Sequence, residues 1–254
     1  MKDKVVVISG GTSGIGKTTA QYLKQKGAIV VILSVDNEKV MQQAIEDIGN
    51  HVECMRCDVS NEKEVQVAFE KIIEKYGRID CAFNNAGVGP DGVRIPYQSL
   101  TEVDEKTWDL IVNVDMKGVF ICMKYELKQM QKQGYGSIVN TASIGGYRMA
   151  PHFGAYGPAK AGVIALTELG AIENAKYNIR VNAICPGPTA DTQLTQNTIL
   201  SHPEQETLFK EQIIPMGKLA TSQEVANTVY WLLSDLSSHT TGQKIFIDGG
   251  MHIA

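Results

Sequence analysis

Tyr156 and Lys160 stand four residues apart, and Ser143 precedes the tyrosine by thirteen positions. On a helix, that spacing puts a phenol and an ammonium on one face, a turn apart. A free phenol titrates near pH ~10 and gives up its proton poorly at neutral pH. An adjacent ammonium favours the phenolate and draws that value down, so the tyrosine becomes a usable acid or base. A serine hydroxyl close by would hold the reacting oxygen with a hydrogen bond. Such pairs are common on solvated helix faces, so their meaning depends on the rest of the chain.

The N-terminus supplies the first of that context. An apolar run from Val5 to Ile8 leads into Ser9, Gly10, Gly11, Thr12, Ser13, Gly14, Ile15 and Gly16. Residues 17–26 then have helical spacing and are closed by Gly27. A strand, a glycine-rich turn and a helix in this order form a dinucleotide-binding unit. The glycines let the backbone turn tightly against a pyrophosphate, and the helix N-terminus favours its charge. Residues 11–18 also fit the phosphate-loop pattern G-x-x-x-x-G-K-[ST], with Lys17 and Thr18 in the last two places. On that reading Lys17 reaches terminal phosphates, Thr18 holds magnesium and Asp36 is the acidic metal ligand. Nothing else in the chain supports it.

Taken together, the motifs resemble those of the short-chain dehydrogenase/reductase family, in its single-domain form of roughly 250 residues. Ser9-Gly10 with Gly14-Ile15-Gly16 is similar to the family's Thr-Gly-x-x-x-Gly-x-Gly, with serine in the threonine place. Asp58-Val59 resembles its adenine contact, and Asn84-Asn85-Ala86-Gly87 matches its Asn-Asn-Ala-Gly. Asn113, Ser143, Tyr156 and Lys160 match its catalytic tetrad. Arg180-Val181-Asn182, Pro186-Gly187 and Asp248-Gly249-Gly250 follow in register, so the resemblance spans essentially the whole chain.

The resemblance implies a nicotinamide dinucleotide held by Gly10, Thr12, Ser13, Gly14, Ile15, Gly16, Ser34, Asp58, Val59, Asn85, Ala86, Gly87, Tyr156, Lys160, Pro186, Gly187 and Thr189. Tyr156 would exchange a proton with the substrate oxygen, and Lys160 would lower its pKa and bind the nicotinamide ribose. Ser143 would position the substrate, and Asn113 would hold a water linking Lys160 to solvent. Thr189 and Thr192 both compete for the carboxamide, because the chain departs from the commoner pattern after Pro186. By family position, Gly146, Tyr147 and His152 would line the substrate pocket.

Alternating apolar and helical stretches predict an α/β fold. The resemblance sharpens this to a Rossmann-type, doubly wound, mostly parallel seven-stranded sheet with helices on both faces. Strands are expected over 5–9, 29–33, 51–57, 79–84, 136–141, 180–185 and 244–247. Helices are expected over 14–26, 38–48, 62–76, 105–132, 156–175 and 222–233. Residues 1–254 read as one domain, with a mobile substrate loop at about 186–218.

Composition limits the function classes. Hydrophobic residues make up 43% and charged residues 20%, as in ordinary globular chains. A net charge of −4 gives no basic surplus for nucleic acid or an anionic membrane. No apolar stretch approaches the ~18 residues of a membrane span, and the N-terminus does not read as a signal peptide. A cytoplasmic location is expected. Five cysteines, an odd number, do not suggest a disulfide framework. Cys54 and Cys57 lack a second pair and face opposite sides of a strand, so no metal is expected.

NAD-specific members carry an acid at the end of the second strand, where this chain has Ser34, and the next residue is Val35 rather than a basic one. Asp36 and Glu38 make the neighbourhood mildly acidic, which favours NAD over NADP. The substrate is expected to be a free small-molecule secondary alcohol or ketone. Reductases of carrier-bound 3-oxoacyl groups, the runner-up, use basic residues where this chain has Gly134 and Ile172. A dinucleotide-sensing protein without catalysis is the alternative of another class, and the presence of both Tyr156 and Lys160 argues against it. A homo-oligomer, tetramer or dimer, is expected by analogy. Val112, Val119, Met123, Val163, Leu166 and Leu169 could fill either its interface or the core.

Overall fold

The computed structural model describes residues 1–49 and 52–254. Among the described residues, seven strands form one sheet in the order β3-β2-β1-β4-β5-β6-β7, and every neighbouring pair is parallel. The strands are β1 (Val5–Ser9), β2 (Ile29–Ser34), β3 (Glu53–Arg56), β4 (Cys81–Asn84), β5 (Gly136–Thr141), β6 (Ile179–Pro186) and β7 (Lys244–Ile247). The third strand was expected over 51–57, and His51 lies outside the described residues.

Val5 and Val7 face one side of the sheet while Val6 and Ile8 face the other, as a two-residue period requires. Both sides are apolar because helices cover both. On the first face pack α3 (Glu62–Tyr76), α5 (Gly118–Gln133) and α6 (Tyr156–Asn174), through Phe69, Ile72, Ile121 and Val163. On the second pack α1 (Gly14–Gln25), α2 (Glu38–Ile48) and α9 (Ser222–Leu233), through Leu23, Ala44, Val225 and Leu232. Val119, Met123 and Val163 belong to this core, whereas Leu169 is exposed. No helix among the described residues is long and apolar enough to cross a membrane.

Strand order reverses between β1 and β4, which opens a crevice beyond their carboxyl ends at Ser9 and Asn84. One expectation needs correction. The helix over 105–132 is instead α4 (Glu105–Val112) and α5, joined by a π turn at Asn113–Lys117. The wider turn lets Gly118, where a Cβ would meet Val59 at 2.8 Å, press against the loop after β3. The segment 186–218 carries regular structure, with α7 (Gln193–Thr195), α8 (Pro203–Leu208) and π turns after each. Ile199 and Ile214 in it pack with Leu219 into a small core of their own.

Candidate active site

The glycine turn shapes a cradle that side chains would fill. Gly10 has φ +66°, and a Cβ there would lie 2.8 Å from Ala86 Cα. A Cβ on Gly16 would lie 2.1 Å from Gly10 O. Asn85 Nδ2 donates to Gly10 O at 3.0 Å, and Ser9 Oγ accepts the N–H groups of Asn85 and Ala86, so the turn is fixed to the end of β4. The α1 N-terminus has no acid in its first turn and no side-chain cap from Ser13. Its N–H groups are therefore open to an anion, and the site fits a dinucleotide pyrophosphate. Lys17 does not turn back over this cradle. It pairs with Asp47 on α2, which removes the phosphate-loop reading's main cation.

Beside the turn, Thr12 Oγ1 donates to Asp36 Oδ2 at 2.5 Å and Ser34 Oγ donates to the same oxygen at 2.9 Å. The carboxylate missing from position 34 thus arrives from two residues downstream. Asp58 Oδ1 accepts the N–H and hydroxyl of Ser60, while Val59 is buried against Gly118. Gly187 lies so close to Asp248 that a Cβ would come within 2.9 Å of it. Thr189 is buried with its hydroxyl on Gly187 O, whereas the Thr192 methyl reaches toward Gly14. The structure therefore turns Thr192, rather than Thr189, toward the glycine turn.

Tyr156 and Lys160 open α6, and Ser143 precedes the short turn that follows β5. Lys160, 3% exposed, donates to Thr141 O at 3.1 Å. A Cβ at Gly145 would lie 3.4 Å from both Ser143 Oγ and the Tyr156 ring, so the two side chains converge there. Asn113 is half-buried at the start of the π turn, and no hydrogen bond among the described residues ties its side chain to them. The structure brings Asp115 to the site, fully buried, with Oδ2 3.0 Å from Lys160 Nζ and Oδ1 accepting Val88 N–H at 2.7 Å. Two positions along a helix is close to a half-turn of rotation, so Asn113 and Asp115 face different ways. Only a short buried acid two residues on from Asn113, in the same motif, hinted at this in the sequence.

The electrostatics also depart from expectation. Burial pushes the Tyr156 phenol up; Lys160 and a Ser143 hydrogen bond pull it down and Asp115 raises it, leaving it above its ordinary value. Burial works to lower Lys160, but Asp115 and Tyr156 outweigh it and hold the ammonium charged.

Gly146 packs on the main chain of Lys160 and Ala161, where a Cβ would meet Lys160 C at 2.6 Å. Tyr147 is 55% exposed and turns edge-on to Phe246, at 5.0 Å between ring centroids, beside His252. His152 is exposed at φ +65°. Phe153, which sequence reasoning passed over, lies 6.2 Å from the Tyr156 ring and 5.7 Å from Tyr97. From α7, Leu194 closes on the same point: a Cβ at Gly89 would be 3.1 Å from the Tyr156 ring and 3.8 Å from Leu194 Cδ2.

A family model described as enoyl-(acyl carrier protein) reductase matches residues 10–252. The chain is 38% identical over 255 residues to 3-oxoacyl-[acyl-carrier-protein] reductase FabG of Thermotoga maritima, covering 100% of this chain and 99% of that one. It is 35% identical over 259 residues to levodione reductase of Leifsonia aquatica, covering 99% and 95%. A crystal structure of levodione reductase superposes with a TM-score of 0.90 at 34% identity, covering 100% and 99%. That of 3-ketoacyl-(acyl-carrier-protein) reductase from Brucella melitensis complexed with NADH gives 0.89 at 30% identity, covering 99% of each chain.

Proposed function

The chain belongs to the short-chain dehydrogenase/reductase family, and within it we propose a ketoreductase/alcohol dehydrogenase acting on free, largely apolar small molecules. The observation that carries this reading is the convergence of Ser143 and the Tyr156 ring on Gly145, with Lys160 in the following turn of α6, beside the glycine cradle. A bound nicotinamide dinucleotide supplies the hydride acceptor or donor. For the rest, Ser143 holds the substrate oxygen, and Tyr156 gives that oxygen a proton in ketone reduction or takes one in alcohol oxidation. Lys160 stabilises the phenolate left behind. The raised phenol supports a resting enzyme with Tyr156 protonated, ready to reduce at neutral pH. Oxidation needs the phenolate, so its rate should climb with pH as reduction declines.

The rings of Tyr97 and Phe153 beside Tyr156, with Leu194 opposite, support an apolar substrate and a covering role for residues 186–218. Asp36 over Ser34 supports NAD rather than NADP. Identity to FabG favours a carrier-bound 3-oxoacyl substrate as the second reading. The uncharged Gly134 and the exposed Ile172 stand against it, and turnover of free against carrier-bound ketones separates the two. Exposed Phe120, Leu169 and Ile172 on α5 and α6 support a homo-oligomer, and five unpaired cysteines support a cytoplasmic setting.

The test is NADH- and NADPH-dependent reduction of a panel of small ketones by the wild type and Tyr156→Phe. Turnover should fall by about 10²-fold or more while dinucleotide affinity holds. Near-wild-type turnover in that variant refutes the mechanism.

A further inference from the structure

We infer that Asp115 is a positioning residue for proton transfer: its buried carboxylate is the fixed counter-ion of Lys160 and sets the pH range in which Tyr156 works. This rests on the reading of Tyr156 as the acid/base.

The geometry is specific. A π turn, closed by Gly118 N–H on Asn113 O, carries Asp115 inward to zero exposure. Single π turns within helices are uncommon and frequent at functional sites. Asp115 Oδ1 is held by Val88 N–H, and among the described residues Oδ2 has no partner other than the Lys160 ammonium at 3.0 Å. Gly87 leaves room for the pair, since a Cβ there would stand 3.2 Å from Lys160 Nζ and 3.3 Å from Asp115 Oδ2. The ammonium is thereby anchored from two sides, by Asp115 and by Thr141 O, with one N–H left over.

A buried ammonium and a buried carboxylate are each costly alone and tolerable together. Tyr156 feels both. Lys160 favours its phenolate and Asp115 opposes it, so the carboxylate offsets part of the ammonium's field. The other titratable group facing the cluster is Cys185 of β6, whose thiol burial pushes up to about 12 and so leaves neutral, with the Ser143 hydroxyl beside Tyr156. Replacing Asp115 by its neutral isostere changes the field at the phenol while keeping the shape of the site.

The experiment compares pH profiles of kcat/KM for alcohol oxidation in wild type, Tyr156→Phe and Asp115→Asn. Loss of turnover in Tyr156→Phe secures the premise; retention of turnover there withdraws the acid/base reading itself. Given that loss, the acidic limb of Asp115→Asn should move about one pH unit toward acid, the scale of one charge removed from a buried cluster. A folded Asp115→Asn with an unmoved limb overturns the inference. If Asp115→Asn fails to fold, the double variant Asp115→Asn/Lys160→Met decides. Recovery of a cooperative melt supports a charge pair, because the single variant had stranded a buried cation. A double variant equally unfolded assigns Asp115 to architecture alone and overturns the inference.

Discussion

The Thr12 hydroxyl donates to Asp36 Oδ2 across 2.5 Å, tying the glycine turn to the chain that leaves β2. Asp36 also receives Ser34 Oγ, so its carboxylate stands at the strand end where the chain itself provides only serine. A 2′-phosphate brought to this strand end would meet a like charge. Asp36→Asn keeps the shape and most of the hydrogen bonding but removes that charge. We expect NADPH to bind about tenfold more tightly to the variant, a change of ~1.4 kcal/mol. Calorimetric titration of wild type and variant with both dinucleotides checks this. An NADPH affinity unmoved by the change means that Asp36 does not face the 2′ position.

How far the sequence reached depends on what each residue has to do. The strands were readable as short apolar runs between helical stretches, because a strand covered by helices on both faces is apolar throughout. That Ser143, Tyr156 and Lys160 lie together was readable from their types and spacing. Asp115, two residues beyond Asn113, was missed because a π turn breaks the helical count that would have turned it toward Lys160. The placement of Phe153, Tyr147 and His152 was not readable, because loop side chains answer to packing rather than periodicity. The reach of Asp36 back to Thr12 is likewise a loop conformation, set by two hydroxyls that no pattern announces.

Phe153 bears on how the apolar end of a substrate is held. Its ring stands between Tyr97 and the proposed acid/base, Tyr156. Phe153→Ala removes that wall without touching the glycine cradle. KM for apolar ketones should rise by about tenfold, the scale of a few buried carbons, with kcat changed less. NADH affinity should be unchanged. A KM that stays put would place the substrate elsewhere.

Glu126 on α5 makes a stability prediction that is independent of substrate. It is fully buried beneath the site; its Oε2 accepts from Asn84 Nδ2 at 3.0 Å, while Oε1 has no partner among the described residues. Asn84 in turn donates to Asn140, which donates to Thr167, so the acid ends a polar chain running across β4 and β5 to α6. Burial pushes the Glu126 carboxyl up to about 8, against about 4.3 in an unfolded chain. The folded state therefore holds a proton that the unfolded state releases between those values. The stability this contributes is complete below the unfolded value and is lost as pH rises through about 8. Glu126→Gln supplies a permanently neutral group of the same shape, so its advantage over wild type should widen from pH 5 to pH 9. At the alkaline end the difference in Tm should be on the order of 5 °C for a chain of this size. Thermal melts of both proteins across that range provide the check. Two curves that stay parallel would mean that Glu126 is ionised in the folded protein, and that the unpartnered Oε1 is solvated after all.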